Sequence, residues 1–176
     1  LFVHNRVQTI DAVHEKLKKL LPECRIVVVH GQMNEKDLEQ RMIEFIEQTV
    51  FGLINKITQE EKSGLKQVEA IISMLLGFAQ KNRGMTRVLI GDALVNEDGR
   101  LQVRINQLMD RIEATLKQSL RMAATQGEMG ESVDVGAHAN VLLCYVIGRW
   151  TQFGKSGFSR EPTAQLSAQL LILLNK

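Results

Sequence analysis

Along most of this chain apolar residues recur at spacings of three and four, the period of a helix with one buried face. Residues 1–33 depart from that pattern. Leu1–His4 is a short apolar start, and Thr9 can cap a helix whose apolar face is Ile10, Val13, Leu17, Leu20 and Leu21. Pro22 stops that helix. The following run, Arg25-Ile-Val-Val-Val-His30, is continuously β-branched, as in a parallel strand buried on both faces. Residues 1–33 therefore read as a short βαβ stub.

After Gly31 the chain turns helical. Asn34 can cap a helix carrying Leu38, Met42, Phe45, Ile46, Val50 and Leu53 and running to about Ile57. Ser63 caps the next, with Leu65, Val68, Ile71, Ile72, Leu75 and Leu76, which ends near Asn82. Arg83-Gly84 reads as a turn, residues 86–95 as a shorter helix, and Asn96–Gly99 as a polar turn. Over residues 100–124 the stripe Leu101, Ile105, Leu108, Ile112, Leu116 and Leu120 marks a long amphipathic helix. A Gly- and Glu-rich loop at residues 127–134 leads to a nearly uncharged helix over residues 135–153, and Pro162 opens a final one through Leu174. Those last two helices are apolar all round. Leu142, Tyr145, Val146, Trp150, Leu166, Leu170 and Leu173 need a partner surface, and a second copy of the chain supplies one, so a homodimer is expected.

Composition narrows the class. With 44% hydrophobic and 24% charged residues over 176 positions, the chain is a globular one, and no apolar run approaches the roughly 20 residues that a membrane-spanning helix needs. Lys and Arg number 22 against 20 Asp and Glu, and each part is near balance, 7 to 6 over residues 1–41 and 15 to 14 over residues 42–176, which is no nucleic-acid binder's balance. Only Cys24 and Cys144 are present, so no disulfide framework is possible and a reducing, cytoplasmic setting is expected. Cys144, among Leu142, Leu143 and Tyr145, reads as an inert core thiol. The chain opens at Leu1 without an initiator Met, which suggests a fragment or a trimmed chain.

Several ordered blocks in the second part carry a resemblance: Ile43-Glu-Phe-Ile-Glu47, Leu76-Gly-Phe78, Lys81-Asn82, Gly84-Met-Thr-Arg87, Arg104-Ile-Asn-Gln-Leu108 and Arg111-Ile-Glu113. From about residue 42 to 176 the sequence resembles the SlmA-type nucleoid occlusion factors, TetR-type regulators that bind DNA and antagonise the division protein FtsZ. A second resemblance lies in Leu1-Phe-Val-His-Asn5, Thr9-Ile-Asp11, Leu21-Pro-Glu23, Arg25-Ile26 and His30-Gly-Gln-Met33, which are similar to the second motor domain of the transcription-repair coupling factors, superfamily 2 helicases. Together the two imply a chimera of two domains, 1–41 helicase-like and 42–176 TetR-like, joined inside one helix. The fold expected is mainly α, a TetR-type C-terminal helical domain with dimerising helices behind the βαβ stub.

What these pieces can do follows from their chemistry. No G-x-x-x-x-G-K-[ST] loop and no acidic box for Mg²⁺ occur, so no motor activity is expected. Ser132, Asp134 and His138 lack the setting of a catalytic triad, and His4, His14, His30 and Cys24 lack metal-ligand spacing. The expectation is a non-enzymatic protein without cofactor or metal. In the TetR-type family a helix-turn-helix precedes the helix of Ile43–Glu47, where this chain has its stub, so sequence-specific DNA binding is expected to be lost. The resemblance places Phe45, Met74, Gly77, Lys81 and Met85 where the family binds the FtsZ tail; Lys81 and Leu53 stand where the family has Arg. An apolar groove with a cation at its rim suits a short amphipathic peptide. The alternatives are a ligand-sensing regulator body, with Met122, Tyr145 and Trp150 around a pocket, and a nucleic-acid-binding helicase remnant.

Overall fold

Helix-forming sequence, with the expected caps at Asn34 and Ser63, builds nearly all of the described structure. A computed structural model of the chain describes residues 7–24, 26–28, 30, 32–91, 99–130 and 133–174. A 3₁₀ turn at Val7–Thr9 leads into α1 (Ile10–Leu20), followed by α2 (Glu35–Glu60), α3 (Gly64–Lys81), α4 (Arg83–Leu89), α5 (Gly99–Thr125), α6 (Val135–Lys155) and α7 (Leu166–Leu173).

The helix starts obey local chemistry. Asn34 Oδ1 accepts the Asp37 N–H at 2.8 Å, and Ser63 Oγ accepts the Lys66 N–H at 3.2 Å, each satisfying an orphan donor of a first turn. Asp134 Oδ1 takes the N–H groups of Gly136 and Ala137 at 2.8 and 3.1 Å and starts α6. Those two hydrogen bonds, Ala137's first, hold the Asp134 carboxyl below its ordinary range. Thr9 stands at the start of α1 without a side-chain cap bond.

The core is one cluster drawn from α2 to α7. It joins Ile43, Ile46, Val50 and Ile54 of α2 to Ile71, Ile72, Leu75 and Leu76 of α3 and to Leu108, Ile112, Leu116 and Leu120 of α5. Helix α3 is central, packed against α2, α4, α5 and α6. Its N-terminus lies hard against α5: a Cβ on Gly64 would stand 2.2 Å from the Ala123 nitrogen, so only glycine allows this approach. The junction is tied by the Gly64 N–H to Gln126 Oε1 at 2.9 Å, the Leu65 N–H to Glu128 Oε2 at 2.9 Å and a buried Ser119–Gln67 bond of 2.8 Å.

Four expectations need correction. The βαβ stub does not appear: the described residues include no strand, and Ile26–Val28 run without a ladder partner. A β-branched run becomes a strand only when a neighbour pairs with its backbone; here the Ile26 carbonyl lies 3.2 Å from His14 Nε2 and the Val28 carbonyl accepts from Arg41 Nη1 at 3.1 Å. The first expected strand, Leu1–His4, lies outside the described residues. Arg83-Gly84 is the first turn of α4 rather than a separate turn, because Thr86 Oγ1 donates to the Ala79 and Asn82 carbonyls and locks α4 onto the end of α3. The last helix begins at Leu166 after turns at residues 162–165, where Arg149 holds the carbonyls of Glu161, Pro162 and Ala164. Cys144 is exposed rather than a core thiol.

Candidate partner-docking site

Helix α2 presents three faces. Ile43, Ile46, Val50 and Ile54 face the core. Glu44, Glu47 and Phe51 meet α5: Arg104 Nη2 lies 2.8 Å from Glu47 Oε2, its Nη1 3.4 Å from Glu44 Oε1, and the Arg111 guanidinium sits 3.7 Å from the centre of the Phe51 ring. The third face carries Phe45. Two positions past Ile43 is about 200° round a helix, so Phe45 turns away from the core, and it is half-buried.

On α3, Met74, Gly77 and Lys81 follow one another at spacings of three and four, on the side away from Ile72, Leu76 and Ala79. Met74 is half-buried and rests on the core cluster; Gly77 is half-buried, and a Cβ there would meet nothing within 4 Å. Lys81 is exposed at the end of the helix and makes no ion pair among the described residues. Met85, on α4, is half-buried against the same cluster. Helix α4 packs on both α2 and α3, so the three elements bearing these five residues are mutual neighbours. None of the five is fully buried, and each keeps surface that a ligand can cover.

The residues expected at a dimer interface divide. Leu142, Val146, Trp150 and Leu170 are buried within the chain's own core. Trp150 also donates its indole N–H to the Leu75 carbonyl at 3.2 Å, so it ties α6 to α3 rather than lining a ligand pocket. Tyr145, Leu166 and Leu173 are only partly buried. Burial of the Tyr145 ring pushes its hydroxyl pKa upward, and that hydroxyl donates to Gln169 of α7. The apolar surface that α6 and α7 do expose is Val141, Leu171 and Ile172, with Cys144 three residues from Val141 on the same side.

Two features of the site had no local signal. The Glu44/Glu47–Arg104 pairs and the Arg111–Phe51 stack bridge residues 57–60 positions apart, and the sequence offered only the blocks in which they stand. A general search for opposite charges on two amphipathic helices would have proposed such pairs without choosing among them.

Residues 62–176 match the SlmA-like C-terminal domain of tetracyclin repressor-like proteins. Similar relatives are the nucleoid occlusion factors SlmA of Alteromonas mediterranea (47% identical over 128 residues, 73% of this chain and 66% of the relative), Idiomarina loihiensis (44% over 132 residues, 75% and 67%) and Photorhabdus laumondii (39% over 133 residues, 76% and 67%). The chain spans about two thirds of the length of these relatives. Residues 1–41 gain no support from these matches for their resemblance to helicase motors or for a chimera. The non-enzymatic character expected from the sequence agrees with that of SlmA- and TetR-like regulators. The chain belongs to the SlmA-like family of tetracyclin repressor-like proteins.

Proposed function

We propose that this chain is the body of a nucleoid-occlusion-type regulator of cell division, and that it docks the tail peptide of FtsZ where α2, α3 and α4 meet. The observation that carries this reading is the incomplete burial of Phe45, Met74 and Met85 beside the open Gly77 and the Lys81 ammonium, which pairs with no carboxylate among the described residues. Half-covered Phe and Met side chains adapt to the apolar residues of a peptide, and a rim cation receives its carboxylates. The segment directly before α2 holds a single α-helix among its described residues, so the reading does not include a three-helix DNA reader joined to α2.

The body is read as a homodimer through the outer sides of α6 and α7, with Val141, Leu171 and Ile172 covered by the second copy. The partly buried Tyr145, Leu166 and Leu173 keep some surface for the same partner. Solution mass tests the dimer, and a monomer at micromolar concentration overturns it.

Titration of a labelled FtsZ tail peptide tests the docking. Gly77→Leu is the sharpest variant, because it places a side chain in open space on the proposed surface without meeting the fold. It should weaken binding on the order of tenfold, as should Phe45→Ala. No saturable binding at high micromolar peptide, with the protein folded and dimeric, ends the proposal.

A further inference from the structure

A second charged surface lies at the other side of α4. Arg83 and Arg87 are exposed and one turn apart, and each guanidinium carbon is 5.5 Å from the centre of the Phe158 ring. Phe158 follows the end of α6 with φ 67°, a backbone state that a bulky residue adopts only when its surroundings hold it there. The hold is visible: its N–H donates to the Phe153 carbonyl at 2.9 Å, and its ring meets the buried Phe153 ring edge-on at 5.0 Å. Lys155 and Arg160, both exposed, stand three residues before and two after Phe158 in the same compact turn, where the Arg160 N–H is bound by Ser156 Oγ at 3.0 Å.

Helix stabilisation accounts for part of this. Arg87 and Lys155 lie in the last turns of their helices, where a cation favours the macrodipole. Arg83 is the first residue of α4, the end at which a cation is disfavoured, and it is nonetheless fixed on the ring. None of the four cations makes an ion pair with a carboxylate among the described residues.

We infer that the Arg83–Arg87–Phe158 cluster, flanked by Lys155 and Arg160, is a docking surface for a carboxylate-rich peptide segment, separate from the Phe45–Met85 surface. Stacking on one ring fixes two guanidinium groups while leaving their N–H forks free, which is the arrangement that receives planar carboxylates two at a time. The half-buried Phe158 ring adds an apolar contact for the peptide's own side chains. A nucleic-acid track would require cations along an extended face, whereas this cluster is confined to one turn of α4 and one loop in a chain of net charge +2. Met85 is two positions from both Arg83 and Arg87, about 200° round the helix, so the two surfaces lie on different sides of α4.

Anisotropy of fluorescein-labelled hexaglutamate with the full chain at low salt tests the inference. Saturable binding is expected, weakened on the order of tenfold by the double variant R83E/R87E and severalfold by Phe158→Leu, while the K18E/K19E variant on α1 leaves it unchanged. If R83E/R87E loses its helical circular dichroism, R83Q/R87Q gives the same reading with a smaller loss. Equal binding by wild type and the folded Arg variants overturns the inference. So does an equal loss from Lys81→Glu, which would assign the peptide to the other surface, and so does a duplex oligonucleotide that displaces the peptide at lower concentration, which would make the face a nucleic-acid site.

Discussion

Helices α1 and α3 share a design but not a fate. Both carry apolar residues at spacings of three and four, in α1 at Ile10, Val13, Leu17 and Leu20, in α3 from Leu65 to Leu76. Helix α3 buries ten of its 18 residues; α1 buries none, and Leu20 and Leu21 are 66% and 49% exposed. The difference lies in the neighbours. Four helices surround α3, whereas α1 packs on its own 3₁₀ turn and meets the extended segment through His14 and the Ile26 carbonyl. An amphipathic pattern selects a helix, but tertiary burial supplies most of its stability, about 2 kcal/mol for each large apolar side chain fully covered.

The largest test of that contrast pairs Trp150→Ala with Leu17→Ala in chemical denaturation. Removing Trp150 vacates a site at 1% exposure and deletes the indole bond to the Leu75 carbonyl, so a loss of about 4 kcal/mol is expected. Leu17→Ala should change the same transition by less than about 0.5 kcal/mol. A comparable loss from both would mean that α1 belongs to the cooperative core. Next in size is Gly64→Ala. Its Cβ would meet the backbone of Ala123 and Ser119, which cannot swing aside as a side chain can, so roughly 3 kcal/mol should be lost. A neutral result would show that the α3–α5 contact is looser than described.

Smaller effects sharpen the picture. Arg104→Ala removes the partly buried pairs to Glu47 and Glu44 and should cost about 1 kcal/mol, with the α2–α5 seam exchanging its amides faster while α1 is unaffected. The smallest expected effect is acid sensitivity. The folded-state pKa of Asp134 lies below its unfolded one, because of the N–H groups of Ala137 and Gly136; that of Glu61 is likewise lowered, first by the Ser63 N–H. Each therefore contributes stability that is complete above the ordinary carboxylate range, about pH 4, and is lost as pH falls through the depressed value. Asp134→Asn should flatten the acid limb of the melting-temperature profile while leaving neutral pH nearly unchanged, since asparagine caps without titrating. A profile identical to wild type would show that the cap carries no pH dependence.

Much of this architecture was legible in the sequence. The caps Asn34 and Ser63, the stripe from Ile105 to Leu120 and the break at Pro22 each act within a few residues, so they work before any tertiary contact forms. The Arg25–His30 run misled because a strand is a property of a pair, and no pairing neighbour stands beside the described residues Ile26–Val28. Helix α6 makes a related point. A helix apolar all round shows that every side needs cover, but not which side its own chain supplies; α3 and α5 took Leu142, Val146 and Trp150, leaving Val141 and Cys144 outside. All five candidate docking residues came from the family resemblance, whereas the accessibility of Phe45 and Met85 depends on how α4 lies against α2 and α3.

By itself, the sequence determined where helices start, where they stop and which faces are apolar, because propensity, capping and periodicity act between residues a turn apart. Tertiary structure alone decided which apolar faces meet one another, that Gly64 lies against Ala123, that Arg104 finds Glu47 across the α2–α5 seam, and that Arg83 and Arg87 share the ring of Phe158. These contacts join residues dozens of positions apart, and their partners are chosen by the packing of the whole helical body rather than by any neighbour along the chain.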